Sequence, residues 1–241
     1  MAGILIFLAI VTVIVGWYLS RQRLLSKPWL EVGVIDEAYG AGGQPRRHPL
    51  DRPARLGLGL FLAVAGSLFT LLISAYLMRR QFPDWQAPPV SSLLWFNTGL
   101  LAASSLVLHV TQRLAGRGRW DDAKLGLFMA AALALLFLLG QMLVWRQMTA
   151  AGYLAAGNPG NAFLYLIIGL HGLHLGGGMV ALGRNALRLW HVEDARRDRV
   201  FAGLQLCAVY WHFLLVVWLI MLALLAQWVD DVVAFCGQFL S

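Results

Sequence analysis

The chain has 241 residues, of which 59% are hydrophobic and 13% charged, with a formal net charge of +7. Soluble domains carry about 25% charged residues, so a water-soluble globular domain is excluded. The 19 Lys and Arg residues gather in a few connections between apolar runs, which excludes nucleic-acid binding as their purpose.

Apolar runs of about 20 residues are needed to cross the hydrocarbon core of a bilayer. Such runs occupy residues 2–20, 56–78, 91–112, 125–145, 161–183 and 201–227. No alternating pattern suggests a β-barrel. The expectation is an all-α polytopic membrane protein with six transmembrane helices in a bundle. Seven basic residues lie between the first and second runs, four between the third and fourth, and five between the fifth and sixth. Only Arg79, Arg80 and Arg146 lie on the other side. The positive-inside rule then places the basic connections in the cytoplasm and both termini on the outside, periplasmic face.

Residues 1–20 read as an N-terminal transmembrane anchor. Its charges follow the apolar run instead of preceding it, so it is not a secretory signal. Residues 21–55, rich in Pro and Gly, read as a cytoplasmic loop lying along a partner subunit. Residues 56–228 are expected to form a five-helix core and residues 229–241 an outside tail. Within the core, the second run has no ionisable residue before Arg79, and Gly57, Gly59, Ala63 and Gly66 suit close packing. The third run carries Asn97, Ser104, Ser105 and His109. The fourth ends with Gln141 and Trp145, which share a helix face.

The fifth run contains Gly169-Leu-His-Gly-Leu-His-Leu175 and continues to Gly178. At about 100° per residue, Gly169, Gly172 and Gly176 share one helix face, while His171 and His174 share the opposite one. A neighbouring helix or a lipid chain fits the glycine face. The sixth run carries Gln205, Tyr210-Trp-His-Phe213 and Trp218. Cys207 and Cys236 have no metal-ligand spacing and are expected to be unpaired thiols.

No run holds an Asp, Glu or Lys near its middle, which argues against a proton relay or ion-coupled carrier in this chain. Three readings of the histidines stay open. They hydrogen-bond across helices to Gln141, Gln205, Tyr210, Asn97 or a carbonyl; they ligate a b-type haem; or, with Trp and Arg, they hold a phospholipid headgroup. His171 and His174 leave one helix in the same direction, so they cannot grip opposite faces of one haem. Carboxylate–histidine pairs beside a Ser or Cys are lacking, and no catalytic or metal-binding residue is assigned.

The two-part pattern Gly169-Leu-His-Gly-Leu-His-Leu175 and Tyr210-Trp-His-Phe-Leu-Leu-Val-Val-Trp-Leu219 resembles subunit III of the haem–copper oxidases. Asn97-Thr-Gly-Leu-Leu-Ala-Ala-Ser-Ser105 and the lone Gln141 are similar to further parts of that family. The resemblance covers residues 56 to about 227. It implies a non-catalytic subunit of a respiratory terminal oxidase in a bacterial-type inner membrane. Cofactors of its own would be absent, haems and copper would sit in partner subunits I and II, and structural phospholipid would be bound. The residues implied to bind lipid or brace helices are His171, His174, His212, Tyr210, Trp211, Trp218, Gly169, Gly172, Gly176, Asn97 and Gln141. Trp211 and Trp218 are expected to wall a lipid cleft. Three acids common in the family are replaced here by Ala65, Val144 and Leu215, which suggests a divergent branch. The alternatives are a subunit III-like protein associated with nitric-oxide reductases, a membrane b-type electron carrier, or a small-solute transporter.

Overall fold

The computed structural model describes residues 51–87, 89, 91–190 and 197–226. Among them are five helices long and apolar enough to cross a membrane. We label them α1 (Asp51–Arg79), α2 (Ser92–Gly116), α3 (Trp120–Ala150), α4 (Pro159–Trp190) and α5 (Arg197–Leu225). The expectation of six transmembrane helices is thus corrected to five. The expected first span at residues 2–20 and the tail at 229–241 lie outside the described residues. The expected placement of both termini on one face likewise concerns residues outside those described. The chain also divides in two after Gly57, and the helix packing is that of the unit beginning at Leu58.

The helices outrun the apolar stretches because their ends are individually stabilised. Ser91 caps α2 by accepting from the Leu93 amide at 3.3 Å. Asp121 and Asp122 sit in the first turn of α3, where the helix dipole favours negative charge. They also pair with Lys124 at 2.9 Å and Arg119 at 2.6 Å. Asn158 precedes Pro159 at the start of α4 and accepts from the Gly160 amide at 3.0 Å.

The tight ends of α2 and α3 follow one pattern. After α2 the Arg119 amide donates to the Leu114 carbonyl and the Gly118 amide to Ala115, both at 3.0 Å. After α3 the Tyr153 amide reaches Met148 and the Gly152 amide reaches Thr149. These are Schellman closures, which need a left-handed residue, and Gly118 and Gly152 supply it at φ 77° and 82°. Asn158 then ties the two outer connections together, donating to the Gln86 carbonyl at 2.8 Å. On the first of these connections, the Arg79 guanidinium hydrogen-bonded to Asp84 holds that carboxyl below the usual carboxylate range.

α2 packs on α3, α3 on α4, α4 on α5 and α5 back on α2, so these four close into a ring. Lipid-facing surfaces are apolar, with Leu60, Leu71, Leu106, Met142 and Leu173 among the most exposed side chains. Burial therefore cannot come from sorting polar from apolar residues, and the helices associate instead through fit. Glycines supply that fit at three positions, two between α2 and α3 and one between α4 and α5. A Cβ at Gly126 would overlap Thr111, one at Gly140 would overlap the Asn97 amide, and one at Gly203 would overlap the Asn185 amide. α1 stands outside the ring and reaches it through large side chains. Phe69 lies 5.1 Å from the His174 ring, and the Tyr76 hydroxyl donates to the Leu224 carbonyl at 3.4 Å.

Gly140→Val should lower the stability of the chain by about 1–3 kcal/mol, because the added methyl groups must displace Asn97 from the α2–α3 crossing. Gly176→Ala, where a Cβ meets nothing within 4 Å, should be near neutral. Thermal or detergent unfolding of the two variants side by side tests this. Equal loss in both would show that the crossing is not tight.

Candidate functional site

The polar and aromatic side chains on these helices separate into two levels. One level lies in the half of the bundle that carries the 80–91 and 151–158 connections. There Trp218 of α5 donates its indole N–H to the Thr98 hydroxyl of α2 at 2.9 Å. Seven residues earlier, Trp211 donates to the Ser104 hydroxyl at 3.0 Å, and Ser104 itself donates to the Ala130 carbonyl of α3 at 2.8 Å. Both indoles are fully buried. Opposing directions of α2 and α5 explain the register, since an advance of two turns along one helix is a retreat of nearly two along the other. Trp211 and Trp218 therefore sit at the centre of the ring, and neither walls a cleft.

His171 projects into the same interior. Its ring centre lies 5.0 Å from that of Trp218, 6.0 Å from Phe137 and 6.4 Å from Phe69. Asn97 and Gln141 are buried at neighbouring positions on α2 and α3. Among the described residues no group of three or more His, Cys, Asp or Glu is placed to hold a metal ion.

The second level is a cavity of about 570 Å³ in the opposite half, where the basic connections lie. Leu58 and Phe61 of α1 form one wall; Leu173, His174, Gly177 and Ala181 of α4 form another; Leu206, Cys207 and Tyr210 of α5 form the third. Arg188 stands among the lining residues, in the last turn of α4. Tyr210 donates its hydroxyl to the His174 carbonyl at 2.8 Å and so fastens α4 to α5 at the inner end. Gly178 makes room for that contact: a Cβ there would lie 2.7 Å from the Tyr210 ring. The His174 ring engages the Leu170 carbonyl of its own helix through Nδ1 at 2.8 Å, which leaves Nε2 as an acceptor in the neutral form. Asn185 donates to the Cys207 sulfur at 3.0 Å across the cavity floor.

His212 is exposed and engages the Ala208 carbonyl of its own helix through Nδ1. Its ring meets that of His109 edge to face at 5.4 Å on the outer surface of α2 and α5. The three histidines expected to brace helices thus occupy three different places, and the Tyr210 hydroxyl and the Asn185 amide make hydrogen bonds between α4 and α5. Gly169, Gly172 and Gly176 do share a face, yet a Cβ on any of them would meet nothing closer than 3.9 Å. The close approaches belong to Gly126, Gly140, Gly178 and Gly203. Sequence reasoning also passed over Thr98, Ser104 and Asn185 as site residues. A hint existed in the pairing of two hydroxyls on one run with two tryptophans on another.

The sequence profile of the family described as Cytochrome c oxidase subunit III matches residues 52–230. The cytochrome c oxidase subunit 3 of Synechocystis sp. is 28% identical over 230 residues, covering 86% of this chain and 93% of that protein. That of Thermostichus vulcanus is 28% identical over 179 residues, 70% of this chain and 85% of that protein. A probable cytochrome c oxidase subunit 3 of Mycobacterium bovis is 27% identical over 199 residues, 77% of this chain and 95% of that protein.

A double-mutant cycle on Trp218→Phe and Thr98→Val should give a coupling of about 0.6 kcal/mol, the usual size for a hydrogen bond between membrane helices. Reversible unfolding in mixed micelles measures it. Strict additivity of the two substitutions would mean that the bond does not help to hold α5.

Proposed function

This chain belongs to the cytochrome c oxidase subunit III family, and from that premise we propose that it braces its complex by holding phospholipid in the cleft between α1, α4 and α5. It is a non-catalytic subunit of a haem–copper oxidase; the complex, not this polypeptide, is the oxidoreductase. We further propose that it packs against subunits I and II, that haems and copper are carried by those partners, and that the complex resides in a bacterial-type inner membrane.

The cavity carries the lipid reading. Its lining is mostly aliphatic and aromatic side chains with glycine and alanine between them, which suits an acyl chain. Arg188 is a cation at the helix end, where a lipid phosphate lies at the membrane surface. Tyr210 and His174 keep α4 and α5 together at the inner end while leaving the mouth open. In this reading His171, Trp211, Trp218, Asn97 and Gln141 serve the interior of the brace, whereas His174 and Tyr210 serve the cleft. Positions 65, 144 and 215 hold Ala, Val and Leu, the first two buried, so proton delivery through carboxylates at those positions is not part of the proposed role.

The arrangement of the histidines does not favour an electron carrier, because His171 is enclosed by three aromatic rings and His109 and His212 stack against each other at the surface. Arg188→Ala should reduce the anionic phospholipid retained by the purified oxidase at least twofold, leaving its haem spectrum unchanged. Lipid mass spectrometry with an optical spectrum on the same sample tests this. Full retention of lipid would overturn the cleft assignment; a Soret band from the chain expressed alone would overturn the brace.

A further inference from the structure

The brace and its cleft leave unused a set of buried polar atoms in the other half of the bundle. Asn97 of α2, Gln141 of α3 and His171 of α4 are 1%, 5% and 0% exposed. They converge on one level by three links. The Asn97 amide lies against Gly140, the residue before Gln141. Thr98, the residue after Asn97, receives the Trp218 indole, whose ring is 5.0 Å from His171. The Phe137 ring, one turn before Gln141, lies 6.0 Å from His171 and 5.3 Å from Trp218.

Five polar atoms of this group have no hydrogen-bond partner among the described residues: Asn97 Nδ2, Gln141 Nε2 and Oε1, and His171 Nδ1 and Nε2. Each such atom away from water carries a desolvation cost comparable to a lost hydrogen bond. The rings around His171 are Phe69, Phe137 and Trp218, and the single N–H of Trp218 is committed to Thr98. These rings therefore cannot meet the need of the imidazole. A metal cation is a poor match, since no carboxylate or thiolate is present and both Asn97 Nδ2 and Gln141 Nε2 are donors. The set instead offers donors and acceptors together, which is what a molecule that both gives and takes hydrogen bonds requires. Buried water in proteins commonly makes about three such bonds to otherwise unpaired groups.

We propose that Asn97, Gln141 and His171 form an internal water site that bridges α2, α3 and α4 within the membrane. The site holds water as a structural ligand: the Asn97 amide donates to it, the Gln141 amide donates to it and accepts from it, and the neutral His171 ring supplies one donor and one acceptor. This inference stands apart from the lipid cleft, which lies in the opposite half of the bundle, and its failure would leave that reading untouched.

The test uses the intact oxidase complex. Water trapped beside aromatic side chains can be activated by X-ray pulses in ¹⁸O-labelled solvent, and mass spectrometry then reads labelled oxygen on the nearest residues. Label is expected on Phe137 or Trp218, entering slowly on solvent exchange, and it should fall at least fivefold in the double variant Gln141→Leu, His171→Phe. A map of the unmodified complex that resolves ordered water gives an independent reading if the variant fails to assemble. Density within hydrogen-bond reach of two or more of the three side chains supports the site. The proposal is overturned if the map shows the three side chains bonded directly to one another, or a partner subunit's side chain seated among them. Absence of label on Phe137 and Trp218 in the unmodified complex also overturns it.

Discussion

Within hydrocarbon, a buried indole N–H must find its partner inside the protein. The placement of α5 depends on that constraint. Trp211 and Trp218 enter the ring as its two largest buried side chains, and their N–H groups meet Ser104 and Thr98 on α2. Because Ser104 passes its own proton to the Ala130 carbonyl, one set of bonds joins α5, α2 and α3. The bulk of each indole fixes how near the helices stand, and its single donor fixes how far along one another they slide. Apolar packing alone leaves the second of these undetermined, since leucines offer no preferred register.

The two levels of the bundle divide the work. In one half, rings and hydroxyls fill the interior, and the outer connections are tied by Asn158 to the Gln86 backbone. In the other, a cavity lies between α1, α4 and α5. Tyr210 sits between the levels. It is tied to the His174 backbone, stacked near Trp211 at 6.4 Å, and exposed to the cleft on its other edge.

Much of this organisation was legible in the chain. Run length against bilayer thickness marked all five described helices, and polar residues interrupting apolar runs drew notice to Asn97, Gln141 and His171, though equally to His174 and His212, which lie elsewhere. Periodicity told which residues share a face, so the opposition of Gly169, Gly172 and Gly176 to His171 is real. It did not tell which face turns inward, because both neighbours of a membrane helix, lipid and protein, are apolar. For the same reason the partners of Trp211 and Trp218 were not readable: they depend on how α2 and α5 cross. Helix ends moved outward by several residues where caps lay just beyond the apolar run, as at Asp121 and Asp122 before residue 125. The expected span at residues 2–20 lies outside the described residues, so the count of five is that of the described residues.

The attachment of α1 has one more consequence. Its described part meets the ring through the tips of Phe61, Phe69 and Tyr76, so the spacing between them is set by side-chain length. Trading one of these rings for a shorter or longer residue would resize the gap while the four-helix ring, closed by its own glycine crossings, keeps its shape. Calibre and framework are thereby separable traits of this protein, open to change one at a time.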